Sequence, residues 1–395
     1  MKPKRALIAG AGVGGFATAL ALSAARFAVT IHERAAALEE FGAGLQLTPN
    51  ATRVLSRLGA LDEVREAGFA PDAVCALRGS DDAILMRLSL KNAESRWGAP
   101  YLAAHRADLQ QALARVAERR DEIRLTLGST LTRVALGADR VVVGLSNDAA
   151  TVEDSFDLLV GADGLRSRVR ETLAAGPGDG PVFAGRVAFR ATIPSNRVDS
   201  RWTEPLVVLR LGPKAHLVHY PLRRRSIINV VAVIEDSWRG GDAEHPWDGV
   251  ADRPALDRAF AGWSGSTRKL LGAATNWRAW PLYGRPALGS FSLGRVALVG
   301  DAAHPMVPFL AQGAAQAIED AGALGTALAE ADDVPQALAA YSRARVSRAT
   351  RVQSEALRQG QIYHLKGLMA VARDATMRTL GSRRLIARYD WLYGA

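Results

Sequence analysis

Two side chains able to move a proton share one face of a single predicted strand. Along HLVHYPL, His216, Val218 and Tyr220 point one way and Leu217 and His219 the other, because strand side chains alternate. An imidazole titrating near neutrality beside a phenol suits removal of a proton from a weakly acidic substrate group. His219, on the opposite face, is expected to pack. A second set of residues could hold a phosphate. From Arg5 the chain reads RALIAGAGVGGFATALALSAARFAVTIHER, which has the form strand, glycine turn, helix, strand, with Gly10, Gly12 and Gly15 in the spacing G-x-G-x-x-G. The first glycine permits a tight turn, the second lets the backbone approach a pyrophosphate, and the third allows close helix–strand packing. Helix amides then face the anion. Glu33, 18 positions after Gly15, ends the second apolar run, where a carboxylate can accept hydrogen bonds from ribose hydroxyls. The pattern describes an adenosine-diphosphate cradle, argues against a 2′-phosphate, and leaves NAD and FAD both open. Arg26 and Phe27 stand where the fingerprint usually has a glycine, so that turn must be built differently.

The elements that position these groups follow from composition and periodicity. A chain of 395 residues, 48% hydrophobic and 23% charged, buries a sizeable core divided over two lobes. Cys75 is the one cysteine, which excludes an intramolecular disulfide, a Cys-pair zinc site and paired-thiol redox chemistry, and no metal site is expected. The net charge of +10 is spread along the chain. Its tight basic run, Arg223-Arg224-Arg225, falls at a hairpin turn without interleaved aromatics, so a solvated basic surface that attracts anionic small molecules is expected rather than a nucleic-acid partner. The apolar stretch Gly14 to Ile31 is interrupted by Arg26 and lacks a cleavage pattern, giving neither a signal peptide nor a membrane span. A cytoplasmic location is expected.

Gly42 to Gly59 reads as a glycine loop carrying Gln46 and then an amphipathic helix with Val54, Leu55 and Leu58 inward. A further helix enters at Arg106. IRLTL, RVVVGL and FDLLVGADG are read as strands returning to the first sheet, and VAFRATI, LVVLRLG, HLVHYPL and SIINVVAVIED as an inserted antiparallel sheet. The strand that returns after Gly294 ends at Gly300-Asp301, where Pro305 and Pro308 forbid helix until Gln312-Gly313. Unpaired amides at that helix start point back toward the strand end. Tyr101 and the tryptophans are expected in the core. The predicted architecture is α/β: a discontinuous Rossmann-type domain over residues 1–180 and 282–335, a mostly antiparallel β-sheet substrate domain over 181–281, and a helical C-terminal region over 336–395.

GAGVGG with Glu33, GADGLRSRVR with Asp163 and Gly164, and GDAAHPMVPFLAQGA with Asp301 resemble, in order and spacing, the three motifs of single-component flavoprotein aromatic hydroxylases. GAGLQLTPNA, HRADLQQAL, HLVHYPL and the tail from QIYHLKG to RYDWLYGA look most like the salicylate hydroxylase and hydroxybenzoate or hydroxynicotinate hydroxylase branch. The resemblance covers nearly the whole chain. It implies that FAD is held by Gly10, Gly12, Val13, Gly14, Gly15, Glu33, Arg34, Gln46, Arg106, Asp163, Gly164, Gly300, Asp301, Gly313 and Ala314. Glu33 would hold the ribose, Asp301 the ribityl chain, and Gly313 and Ala314 the pyrimidine edge. It also implies NADH or NADPH as co-substrate, docked in a surface groove without a glycine fingerprint of its own, and O₂ added to the reduced flavin as a C4a-hydroperoxide. The distal oxygen would pass to a phenolic aromatic acid of salicylate or hydroxybenzoate type. His216 would be the base, with Tyr220 beside it, His304 would touch the substrate, and Pro305 would shape the oxygen-transfer pocket. Gln46 stands where some relatives carry histidine, which disfavours an N-heteroaromatic acid such as 6-hydroxynicotinate. That substrate, an NAD-linked dehydrogenase that leaves Gly300-Asp301 without a role, and a non-catalytic binding protein are the alternatives. A monomer or homodimer is expected.

Overall fold

The apolar run of Arg5–Ala9 is buried on both faces, which places it inside a sheet covered on both sides rather than at an edge. A computed structural model, describing residues 3–38, 44–147, 150–173, 178–238, 249–250 and 252–394, puts it within a six-stranded sheet. The strand order is Ser292–Leu293, Val296–Leu298, Leu158–Gly161, Arg5–Ala9, Ala28–His32 and Ile123–Thr126. All pairs are parallel except the short Ser292–Leu293 edge. The turn before Ala28 is closed by Arg26 in the left-handed region, φ +65°, where a glycine is usual. The fingerprint helix Val13–Ala24 packs along Gly313–Glu330. Small residues let the two axes approach, at Gly14 against Ala317 and, about two turns on in both helices, at Ala21 against Gly325. The two helices therefore run parallel, and their amino termini open at the same end.

The predicted second lobe is an eight-stranded sheet, ordered Gly249–Val250, Arg278–Gly284, Val182–Pro194, Ile227–Glu235, Ala215–Leu222, Leu206–Gly212, Ala73–Arg78 and Ile84–Ser89. Its last two strands come from residues 73–89, inside the segment read as nucleotide-binding, and Ala73–Arg78 joins through a parallel pairing with Leu206–Gly212. Such a long-range parallel pairing leaves no local turn signal. One strand reading is corrected: Val141–Ser146 does not return to the first sheet but forms a three-stranded antiparallel meander with Thr130–Leu136 and Thr151–Phe156. Ile123–Thr126 and Leu158–Gly161 do join the first sheet. Gly42 and Ala43 of the expected glycine loop lie outside the described residues, and Gly44–Leu47 is a strand paired with Leu102–His105. Helices Val334–Tyr363, Gly367–Ala387 and Asp390–Tyr393 make the C-terminal region. Among the described residues, no helix is long and apolar enough to cross a membrane.

Candidate active site

The three glycine fingerprint positions behave differently, as the phosphate-cradle argument requires. Gly10 has φ +103°, and a Cβ there would lie 2.5 Å from the Ala162 carbonyl oxygen. A Cβ on Gly15 would meet the Gly10 carbonyl oxygen at 2.0 Å, whereas one on Gly12 meets nothing within 4 Å. Gly12 thus faces open space at the start of a helix whose first amides lack partners. Gly15→Ala, a backbone collision, is expected to destabilise the fold by about 3 kcal/mol or more. Gly12→Ala should leave the denaturant midpoint of the apoprotein unchanged and weaken FAD binding at least tenfold, read by flavin titration.

Glu33 is fixed by two backbone amides, Ala11 N–H at 2.8 Å and Ala35 N–H at 3.0 Å, leaving further lone pairs for ribose hydroxyls. Arg34 is exposed beside it. Gln110 Nε2 donates to the Ala11 carbonyl at 2.7 Å and so ties the helix Arg106–Glu118 to the glycine turn, with Arg106 exposed at its start. The Ala162-Asp163 turn touches Gly10 directly. Asp163 Oδ2 accepts from the amides of Arg168 and Val169 at 2.8 and 3.2 Å, which caps the helix Arg168–Leu173, while its buried Oδ1 has no protein partner. Burial raises the Asp163 pKa. Gly164 follows with φ +79°. Asp301 is open to solvent at the cleft, yet enough protein surrounds it to raise its carboxyl pKa by desolvation, with Arg106 and His304 pulling the other way. Gly313 begins its helix with open space before it, and Ala314 follows. Glycine turn, Asp163 turn and Asp301 turn therefore converge on one cleft.

These residues fit FAD on their own geometry. Two helix amino termini face one way, a glycine leaves the phosphate position open, a carboxylate is preset for ribose, and a buried carboxylate oxygen lacks a protein partner. Arg190, which sequence reasoning missed, adds a cation at the same cleft: its Nε is buried without a partner, its guanidinium lies 5.1 Å from the Trp280 ring, and burial, assisted by Arg106, pushes its pKa down to about 10.

Beside the cleft lies a cavity of about 120 Å³, small against the roughly 300–1,000 Å³ of drug-sized sites, which suits a single small ring. One wall is the turn from Pro308 to Ala311, which runs straight into the helix start at Gln312-Gly313. His216 and Val218 face it from the eight-stranded sheet, Gln46 and Tyr101 from the small sheet and its approach, and Tyr363, Tyr389 and Tyr393 from the C-terminal helices. The Tyr101 hydroxyl donates to Gln46 Oε1. Burial raises the phenol pKa of Tyr101, Tyr363, Tyr389 and Tyr393, so all four stay protonated donors.

His216 is 3% exposed, with Phe309 and Tyr363 ring centroids 5.4 and 5.2 Å away. Its Nδ1 lies 2.8 Å from Nε2 of His364, so Nε2 is the nitrogen left for the cavity. The expectation of titration near neutrality is corrected: burial, then His364 and Arg186, hold the His216 pKa well below the ordinary histidine value. Tyr220 shares the strand face as expected but is not among the cavity-lining residues. It is buried against Ala103, Val207 and Leu222, and burial raises its pKa. Tyr101 and Trp97 are buried in a core cluster as expected, and both also line the cavity. His219 packs edge-on to Trp202 at 4.9 Å and meets Arg210 at 3.1 Å, away from the cavity.

His304 and Pro305 also sit differently from the reading as substrate contacts. His304 is 1% exposed and its Nε2 meets Asp320 Oδ2 at 2.5 Å; that same oxygen accepts the Gly300 amide at 2.8 Å. His304 braces the Gly300-Asp301 turn from behind. The Pro305 carbonyl accepts from Gln353 Nε2 at 2.9 Å, and Pro308, three residues on, is the proline that lines the cavity.

Comparison with known proteins gives the same assignment. Residues 4–356 match the FAD binding domain family. The chain is 36% identical over its whole length to a 3-amino-4-hydroxybenzoate 2-monooxygenase of Streptomyces platensis, covering 96% of that protein. It is 32% identical over 98% of its length to a 3-hydroxybenzoate 6-hydroxylase of Polaromonas naphthalenivorans, covering 95% of it. The structure of a salicylate hydroxylase substrate complex superposes with a TM-score of 0.82 at 25% identity, over all of this chain and 96% of that one. Nucleotide cleft, adjoining cavity and these likenesses agree: the chain belongs to the FAD-binding family, among its aromatic-ring monooxygenases.

Proposed function

We propose that the protein uses NADH or NADPH and O₂ to hydroxylate a small phenolic aromatic acid of the salicylate or hydroxybenzoate type, with His216 as the base that ionises the phenol. The observation that carries this reading is His216 itself, set on a cavity wall with Nδ1 engaged by His364 and Nε2 left for a substrate hydroxyl. Ionising the phenol makes the ring electron-rich, which is the protein's share of the chemistry. FAD, when bound and reduced by the coenzyme, would activate O₂, one oxygen atom of which passes to the ring while the other leaves as water. Glu33, the amides after Gly12 and Asp301 would hold it, and the start of the Gly313 helix would offer positive dipole to it. The tyrosine wall excludes water and offers donors to a carboxylate. The hydroxyls of Tyr389 and Tyr393 make no hydrogen bond to protein among the described residues and are the proposed carboxylate contacts.

The test is NADH and NADPH consumption by the flavin-loaded enzyme, with and without salicylate, 3- and 4-hydroxybenzoate, their amino derivatives and 6-hydroxynicotinate, with product identification. Stimulated coenzyme oxidation and a product one oxygen heavier, or a decarboxylated diol, are expected for a hydroxybenzoate. A protein that oxidises coenzyme without responding to any phenolic acid would defeat the reading, and preference for 6-hydroxynicotinate would move the substrate class to N-heteroaromatic acids.

A further inference from the structure

A buried base has a difficulty that its geometry here resolves. An imidazolium at His216 would be a desolvated charge facing His364 and Arg186 and walled by Phe309 and Tyr363, so a proton taken from substrate cannot rest there. Polar contacts lead outward. His216 Nδ1 lies 2.8 Å from His364 Nε2, and His364 Nδ1 lies 3.3 Å from Glu235 Oε1 and 3.3 Å from Arg186 Nε. Exposure rises along this row, from 3% for His216 and 5% for His364 to 37% for the Glu235 side chain. Glu235 and Arg186 are direct partners across the sheet, so their placement is set by strand register.

The two neighbours of His364 ask for opposite protonation states. Glu235 accepts, which requires a proton on His364 Nδ1; Arg186 donates, which requires a lone pair there. The row therefore has two satisfied arrangements with both rings neutral. In the first, Nδ1–H of His364 faces Glu235, Nδ1–H of His216 faces His364, and His216 Nε2 presents a lone pair to the cavity. In the second, every ring proton has moved to the other nitrogen and Arg186 completes the row.

We propose that His216, His364 and Glu235 form a proton-exit relay that carries the phenolic proton of the substrate from the cavity to solvent, with Arg186 stabilising the discharged arrangement. The inference rests on the reading of His216 as base. The substrate O–H bond breaks as His216 Nε2–H forms, His216 Nδ1–H passes to His364 Nε2, and His364 Nδ1–H passes to the Glu235 carboxylate and then to water. No electrons are exchanged, and the reverse transfers reset the row when a proton is called back into the cavity. The other cation facing His364 is Arg373, engaged by Asp374 and by the carbonyls of Ile362 and Tyr363.

The test uses oxidised, flavin-loaded enzyme mixed rapidly with 3-hydroxybenzoate in weak buffer, following phenolate absorbance and proton release to an indicator dye. Glu235→Gln, at a half-exposed site, should retain flavin content and the 3-hydroxybenzoate Kd yet slow proton release at least tenfold. In Glu235→Ala, where the missing side chain opens a way to His364, concentrated small buffer should restore much of the rate. His364→Asn should slow it as much or more. Proton release at the wild-type rate in Glu235→Gln, or a slowed rate in Glu235→Ala that buffer does not restore, would overturn the relay while leaving His216 as base. Wild-type enzyme that binds without releasing a proton would remove the base and the relay together.

Discussion

His216→Ala should lower the hydroxylation rate by about 10²–10⁴-fold, the usual contribution of a positioned general base, with FAD content unchanged. The side chain is on the wall of the substrate cavity and no FAD-cradling residue bonds to it; its polar partner is His364. The deficit should depend on pH in a stated direction. Below a phenol pKa of about 10 the substrate arrives protonated and needs the base; as pH rises through that value the phenolate arrives ready-made, and the variant should approach the wild type. Because burial holds the His216 pKa well below its ordinary value, the wild-type base is already neutral at pH 7, so the imidazole's own titration should not cut activity until pH falls well below 6.5. Steady-state product formation from about pH 4 to 10 measures both. A pH-independent deficit would assign His216 to packing around the cavity.

Asp320→Ala should cost about 3–5 kcal/mol of stability and impair FAD binding at the same time. The Asp320 side chain is fully buried. It accepts from Arg345 Nε at 2.7 Å, His304 Nε2 at 2.5 Å and the Gly300 amide at 2.8 Å. Burial pushes the Asp320 pKa up, but His304, Arg345 and the Gly300 amide outweigh it and the net shift is downward, so the group is a carboxylate in the fold. Its removal leaves Arg345, itself 4% exposed, with Glu319 alone as ionic partner, and buried charges that lose a partner carry costs of that size. The Gly300-Asp301 turn loses its brace in the same step, which couples stability to the cofactor. Denaturant midpoint and flavin affinity should fall together. His304→Ala should show the same pair of effects in milder form, about 1–3 kcal/mol, with the product identity and substrate KM of the loaded enzyme unchanged. A selective rise in KM would instead place His304 against the substrate.

The nucleotide cleft was readable from sequence because its requirements are local. A positive φ at Gly10, a 2.0 Å approach at Gly15 and an open face at Gly12 are properties of one short turn, and the types and spacing of a few neighbours express them. Strand alternation was equally local, so His216 and Val218 could be put on one face. What alternation could not state was depth. His216 reaches the cavity while Tyr220, two positions beyond Val218, is buried against Val207 and against Ala103 from a strand far away in the chain. Likewise the predicted contacts at His304 and Pro305 followed the right turn, but which way an imidazole points depends on Asp320 from the next helix.

Composition, periodicity and glycine spacing pointed to a parallel nucleotide-binding sheet, an antiparallel partner sheet and a helical end, with Glu33 and the fingerprint glycines in the cleft, while Asp163 and Asp301 entered through the resemblance to flavoprotein hydroxylases. Only tertiary structure decided that residues 73–89 complete the second sheet, that tyrosines from the final helices wall the cavity, and that His364, 148 positions from His216, stands against its ring. The physical reason is that backbone geometry is encoded by neighbours in sequence, whereas the desolvation and hydrogen-bond partners that set a side chain's proton affinity are supplied by whatever segment packs against it.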